Sequence, residues 1–176
     1  MDIDENNLKM FYKDHQVFVN IDGKEIKLKY SENEDDLRDY IIGGWFEEYI
    51  YCELLDFLDK QVIYDLRLNM RLSVESMTAI QGDERPIYAE LDMAFSDGKN
   101  LYVAECKSGG LKNKGVLTAL SANTQIFGGA NAKCILISID GNLGQGLQEK
   151  VKILNIEFIF KDFKKNIENY INNSRR

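Results

Sequence analysis

The sequence predicts an α/β fold with a mixed central sheet and an N-terminal β-hairpin. Three observations lead there. Apolar residues alternate in several separate stretches, and helical stretches lie between them. Their order is helix, three strands, helix, strand, then helix–strand–helix. A length of 176 residues favours one domain with its own core. The expected division is a hairpin extension over 1–35 and a main domain over 36–176.

Residues 16–30 carry two alternating runs, Val17-Val19-Ile21 and Ile26-Leu28-Tyr30, joined by Asp22-Gly23, a strong hairpin signal. Ser31 followed by Glu34 has the form of a capping box and starts a helix that runs to about Asp59. Gly43-Gly44 should break that helix, since each glycine costs roughly 1 kcal/mol in a helix interior. Alternation over 61–74 predicts a long strand, 75–85 a polar loop, and 87–95 and 101–107 two further strands. Residues 113–127 suit a helix ended by Gly128-Gly129, and 134–139 a buried strand. A helix over 147–154, a strand over 156–160 and a helix over 163–173 complete the chain. Gly141-Asn-Leu-Gly-Gln-Gly146 reads as a turn and helix start, because its spacing is neither a dinucleotide fingerprint nor a P-loop.

Several function classes are excluded. No apolar run approaches the roughly 20 residues of a membrane span, and the acidic N-terminus lacks the form of a signal peptide. A cytosolic protein is expected. Cys52, Cys106 and Cys134 are odd in number, distant in sequence and flanked by apolar residues, so they read as reduced, buried thiols. There is no Cys-x-x-Cys pair, and His15 is the only histidine. Zinc and histidine general-base chemistry are thereby disfavoured. Carboxylates, lysine and a hard metal ion remain.

The net charge is −7, but residues 1–60 hold 16 acids and 7 bases. The remainder is slightly basic. Lys99, Lys107, Lys112 and Lys114 cluster in the middle of the chain, and Lys161, Lys164, Lys165, Arg175 and Arg176 near its end; from charge alone they read as solvated faces, with a local positive strip as the alternative.

The informative segment runs from Tyr88 to Lys107. Gly98 suits the first central position of a type II′ turn. With Gly98-Lys99 as the turn, Phe95, Met93 and Leu91 face Tyr102, Ala104 and Cys106 on one apolar side. On the other side Asp92 faces Glu105, and Glu90 faces Lys107. Directly opposed carboxylates, with Cβ atoms about 4.5–5.5 Å apart, repel unless neutralised. A divalent cation does that, and oxygen ligands without histidine favour Mg²⁺ or Mn²⁺. Lys107 points to the same side as Glu105 and suits a phosphate or an attacking water. Solvated acids on a hairpin, with Glu90–Lys107 an ordinary cross-strand pair, are the alternative. In the first helix Glu47 shares a stripe with Tyr51, Leu54, Leu55 and Leu58, where a carboxylate needs a partner. Glu48 lies about 100° further round and could serve instead. Ser108-Gly-Gly leaves room for a ligand, so Ser108, Lys112 and Lys114 are candidate nucleic-acid contacts, while Gln125 could touch substrate or a water. Trp45 reads as a core or interface anchor.

Gly43-Gly-Trp-Phe-Glu-Glu-Tyr49, Glu90-Leu-Asp92 and Glu105-Cys-Lys-Ser-Gly109 together resemble the PD-(D/E)XK nuclease superfamily. More narrowly, residues 38–160 resemble the nuclease domain of CRISPR ancillary nucleases, where it follows a cyclic-oligoadenylate-sensing CARF domain. The resemblance implies a restriction-endonuclease-like αβββαβ core. It implies that Asp92, Glu105, the Cys106 backbone carbonyl and Glu47 hold Mg²⁺ or Mn²⁺, and that Lys107 is the catalytic lysine. It implies an endonuclease acting on DNA, or on RNA, in defence against foreign nucleic acid. A CARF domain does not fit into the roughly 40 residues before the motif, so no cyclic-nucleotide sensing is expected of this chain alone. A homodimer and a separate sensor or targeting protein are expectations of the same kind. A non-catalytic nucleic-acid- or partner-binding module on this fold is the alternative, and the intact acid–acid–lysine set argues against it.

Overall fold

A computed structural model of the chain describes residues 3–5, 8–21, 24–73, 87–111 and 113–175. The Asp22-Gly23 turn, the 75–85 loop and Lys112 lie outside the described residues. The chain divides into two compact units, residues 1–45 and 46–176. Among the described residues no helix is long and apolar enough to cross a membrane.

The first unit exceeds the expected hairpin. Strands β1 (Ile3–Glu5), β2 (Leu8–Lys13), β3 (Gln16–Ile21) and β4 (Lys24–Tyr30) form an antiparallel sheet in that order. Asp14 and His15 make the turn between β2 and β3 with φ of 49° and 60°, the left-handed pair of a two-residue hairpin. The lone histidine is therefore a turn residue. A bulge between Val17 and Phe18 shifts the β3–β4 register. Val17 is buried, whereas Ile26, Leu28 and Tyr30 are exposed.

Helix α1 (Glu34–Asp39) follows, capped by Asn33 and not by Ser31. The Asn33 side chain accepts the Asp35 N–H at 3.0 Å, while Ser31 Oγ accepts the Asn33 N–H at 3.1 Å. A π-helical turn, Tyr40–Gly44, then occupies the expected glycine break. Leu37, Tyr40 and Ile41 pack with Val17, and Trp45 lies against them as an anchor.

Helix α2 (Trp45–Asp59) leads into the larger unit. Its buried stripe is Phe46, Ile50, Leu54 and Phe57, one residue round from the stripe expected. Leu55 is exposed, and Glu47 sits at the stripe's margin. Cys52 lies on the outer side and is exposed, against expectation, while Cys106 and Cys134 are buried free thiols.

Strands β5 (Asp65–Ser73), β6 (Ile87–Ser96), β7 (Leu101–Lys107), β8 (Lys133–Ser138) and β9 (Ile156–Ile159) form one sheet in chain order. The first two pairings are antiparallel and the last two parallel. Helix α3 (Lys114–Gly128) connects β7 to β8, and α4 (Gln145–Ile153) connects β8 to β9. Both helices cover one face, burying Leu117, Leu120, Leu147 and Val151 against Val103, Leu136 and Ile156. Helix α5 (Phe163–Ser174) lies on the other face. There Tyr170 meets Tyr102 edge-on at 6.1 Å, and Phe163 meets Phe46 of α2 at 5.5 Å. Lys99 and Lys107 stand at opposite ends of β7, and Lys99 Nζ donates to the Arg175 carbonyl at 2.9 Å. Lys99 and Lys107 thus do not share one end of the sheet.

Candidate active site

The β6–β7 ladder pairs Ser96 with Leu101, Phe95 with Tyr102, Ala94 with Val103 and Met93 with Ala104. This is the register the sequence predicts, and Gly98 has the expected positive φ, 84°. The closing bond differs. The Asn100 N–H donates to the Asp97 carboxylate, Oδ1, at 2.7 Å.

Beyond Met93 the ladder stops. Asp92 does not simply oppose Glu105. Its Oδ2 accepts the Cys106 N–H at 2.8 Å, so the side chain takes the place of a backbone partner. The cause is visible on β5. Leu68 pairs with Met93 and Met70 with Leu91, but the Asn69–Asp92 pair between them is missing, and Asn69 has φ +51°. A left-handed residue inside a strand turns its peptide out of the ladder. Here it also turns the apolar face over. Phe95 stacks on Tyr102, which meets α5, whereas Leu91, Met70 and Leu72 pack in the core under α3. Leu91 therefore leaves the face on which the sequence placed it. Asp92 sits at the crease.

Lys107 reaches back to the acids. Its Nζ lies 2.5 Å from Glu105 Oε1 and 3.8 Å from Asp92 Oδ2. The expected Glu90–Lys107 pair does not form, since Glu90 turns to Arg71, its neighbour on β5, at 3.4 Å. Burial raises the Asp92 carboxyl, opposed by the Lys107 charge and the Cys106 N–H. Burial and the Asp92 charge raise Glu105. Burial would lower the Lys107 ammonium, but the Glu105 and Asp92 charges outweigh it and hold it above the usual lysine range. Glu47 joins from α2. Burial first, then the Asp92 charge, lift it from 4.5 to about 7. Burial holds the Cys106 thiol in its neutral form, so it offers no thiolate.

Glu47, Asp92, Glu105 and Lys107 thus come together. The donor chemistry fits a hard divalent cation: oxygen groups, no imidazole, and carboxyls whose mutual repulsion a cation would relieve. Asp92, Glu105, Glu47 and the Cys106 carbonyl could hold one. Among the described residues no three acid, cysteine or histidine groups already stand as a preformed cation site. The Lys107 ammonium occupies the carboxylates instead.

The other candidates lie variously. Glu48 is exposed on α2, and Ser108 is half-buried directly after Lys107. Lys114 opens α3, its Nζ so close over Gly146 that a Cβ there would come within 2.8 Å. Gln125, exposed near the far end of α3, borders a different hollow with Gly129, Lys133 and Tyr170. It is not brought to the acids. Two residues went unread. Asn69 looked like part of a plain alternating strand. Asn123 lines a hollow of about 140 Å³ with Glu90, Glu105, Val116 and Leu120. Its position seven residues after Val116 was a usable signal, a polar residue on an apolar helical stripe.

Two acids and a lysine thus stand on adjoining strands of a mixed sheet, with a third acid from the preceding helix. The chain belongs to the Card1-like endonuclease domain family, whose model matches residues 34–176. Among solved structures it resembles protein VC1899 from Vibrio cholerae, with a TM-score of 0.67 and 22% identity, covering 82% of this chain and 38% of that one. It also resembles Can2 from Sulfobacillus thermosulfidooxidans, solved in complex with cyclic tetra-adenylate, with a TM-score of 0.60 and 23% identity over 81% and 39% of the two chains. The chain spans less than two fifths of either structure. No curated protein is significantly similar to it.

Proposed function

We propose that this chain is a divalent-metal-dependent endonuclease, hydrolysing phosphodiester bonds of DNA in preference to RNA, in defence against foreign nucleic acid. One observation carries the reading: the Lys107 ammonium set between Glu105 and Asp92, with the Glu47 carboxyl beside them. When bound, Mg²⁺ or Mn²⁺ would supply Lewis-acid activation and charge neutralisation at the scissile phosphate. Asp92 and Glu105 offer the oxygens for it, and the Cys106 N–H fixes the Asp92 carboxylate. Lys107 orients the attacking water and its charge steadies the phosphoryl oxygens. Glu47 offers a further oxygen to the ion or to its water, and the proton lost as the water oxygen bonds to phosphorus passes to solvent. The ester P–O bond breaks, and the leaving oxygen takes up a proton.

The test is cleavage of labelled single- and double-stranded DNA and RNA in EDTA, Mg²⁺ or Mn²⁺. Asp92→Ala, Glu105→Ala and Lys107→Ala should each lower the rate at least about 100-fold with circular dichroism unchanged. A variant that cuts like wild type overturns the site. A second reading has support in the Can2 complex and in the short span of this chain: a nuclease that cuts only alongside a ligand-sensing region. Under it, isolated chain binds Mn²⁺ but does not cut.

A further inference from the structure

The sheet edge opposite Lys107 carries a hollow that the chemistry above does not use. Lys133 opens β8, and Lys107 pairs with Ser138 at the other end of that strand. At about 3.3 Å per residue the two ends stand roughly 17 Å apart. The hollow holds about 410 Å³ and is lined from α3, β8 and the turn after α4. That volume suits a small organic ligand. Helix α3 ends beside it at Gly128, and α4 at Ile153.

Its floor is polar. Thr124, Cys134 and Ser121 line it and are all buried. Thr124 Oγ1 donates to the Leu120 carbonyl at 2.7 Å. Burial raises the Cys134 thiol to about 11, so it stays neutral. Ser121 is left over. It is 8% exposed, and its hydroxyl makes no hydrogen bond among the described residues. The Gln125 and Asn155 amides and the Lys133 ammonium, in the same lining, are unpaired among the described residues too. These groups sort by charge. Among the described residues no carboxylate lines the hollow, and Lys133 is its one cation, which suits a phosphate. The last carbonyls of α3 and α4 have no intrahelical donors and give their side of the hollow a partial negative charge. That side repels a phosphate and favours the N–H groups of a ligand. A glutamine or asparagine amide offers a donor and an acceptor side by side, which matches the edge of an amino-bearing base. Ser121 remains for a sugar hydroxyl.

We propose that this hollow is a non-catalytic site for a nucleoside 5′-monophosphate whose base carries an exocyclic amine, with Lys133 on the phosphate, Gln125 and Asn155 on the base edge and Ser121 on the ribose. The site stands apart from the acids of β6 and β7 and rests on nothing in the nuclease reading.

The experiment is isothermal titration calorimetry of the full chain in EDTA with adenosine 5′-monophosphate, uridine 5′-monophosphate, adenosine and inorganic phosphate. The adenine nucleotide should bind about tenfold more tightly than the uracil nucleotide, than adenosine and than phosphate. Lys133→Met should bring the adenine nucleotide down to the affinity of adenosine and leave adenosine unchanged. Gln125→Ala, at an exposed position, should remove the preference for adenine over uracil. Ser121→Leu, which fills the hollow, should abolish binding with circular dichroism unchanged. Should that variant fail to fold, the Lys133 and Gln125 variants decide the matter. Lys107→Ala should bind the nucleotide like wild type. Wild type that binds no nucleotide at about 1 mM, phosphate that binds as tightly as the nucleotide, or Lys133→Met that behaves like wild type would each overturn the site. Loss of binding in Lys107→Ala would overturn it as well, by moving the nucleotide to the acids. Cleavage is scored separately. Nucleotide binding in a chain that cuts nothing leaves the site and removes the nuclease reading, and cleavage by a chain that binds no nucleotide does the reverse.

Discussion

At the residue scale, Asn69 and Asp97 show how local chemistry sets the site and its support. Asn69 holds φ +51° where the sheet would place an extended residue. Asparagine tolerates that conformation better than a β-branched residue does. Asn69→Val should therefore cost about 1–3 kcal/mol and lower the cleavage rate, because the crease at Asp92 relaxes. Asn69→Gly should keep both, as urea unfolding and initial rates would show. Asp97 is a buried carboxylate that accepts from the Lys99 and Asn100 N–H groups, the Asn100 side chain and the Tyr102 hydroxyl. Arg175 Nε reaches it at 3.3 Å. Burial alone would raise it, but these donors outweigh burial and bring it down from 3.8 to about 2. A depressed carboxyl contributes stability above its unfolded value, and that contribution is lost as pH falls toward the folded one. Asp97→Asn should cost about 2 kcal/mol at pH 7, and the gap to wild type should close between about pH 4 and 2. A gap that stays constant over that range would show that the charge is not the cause. The Asp92–Glu105–Lys107 set was legible as residue types at strand spacing. The Asn69 kink was not, because a single left-handed φ leaves apolar alternation intact.

At the element scale, the strands that frame the site were readable because apolar alternation and the Asp97-Gly98 turn agreed with one another. The β6–β7 register followed from that turn. It failed only from Asp92 onward, where a side chain replaces a ladder bond. Strands β1 and β2 were not read, since Leu8-Lys-Met-Phe-Tyr-Lys13 lacks clean alternation and sits in an acidic stretch. Helix α3 ends where expected, and packing explains why. A Cβ on Gly128 would come within 2.4 Å of the Ala132 Cβ and 2.9 Å of Leu101 Cδ2. Gly128→Ala should thus destabilise by about 1–3 kcal/mol with cleavage per folded molecule unchanged, measured by urea denaturation beside the assay.

At the scale of the whole molecule, binding and stability are linked. A cation that holds to the folded chain alone raises its melting temperature, by about 2.7 kcal/mol of stabilisation at one hundred times its dissociation constant. Wild type should melt higher in Mn²⁺ than in EDTA, while Asp92→Asn should show little shift. Equal shifts in the two proteins would move the metal elsewhere. The mixed central sheet followed from element order; which face each helix covers did not. The placing of Lys99 and Lys107 at opposite ends of β7 was not legible in their nearness along the chain.

The Asp97–Arg175 contact joins groups 78 positions apart. On a ribosome adding about 5–20 residues per second, the hairpin turn emerges roughly 4–16 seconds before the arginine that completes its shell. For that interval the nascent sheet carries a carboxylate waiting for its last donor and an aromatic face waiting for α5. Closure of this domain is then timed by translation of its final helix, and the unfinished sheet is the stage at which a chaperone has most to hold.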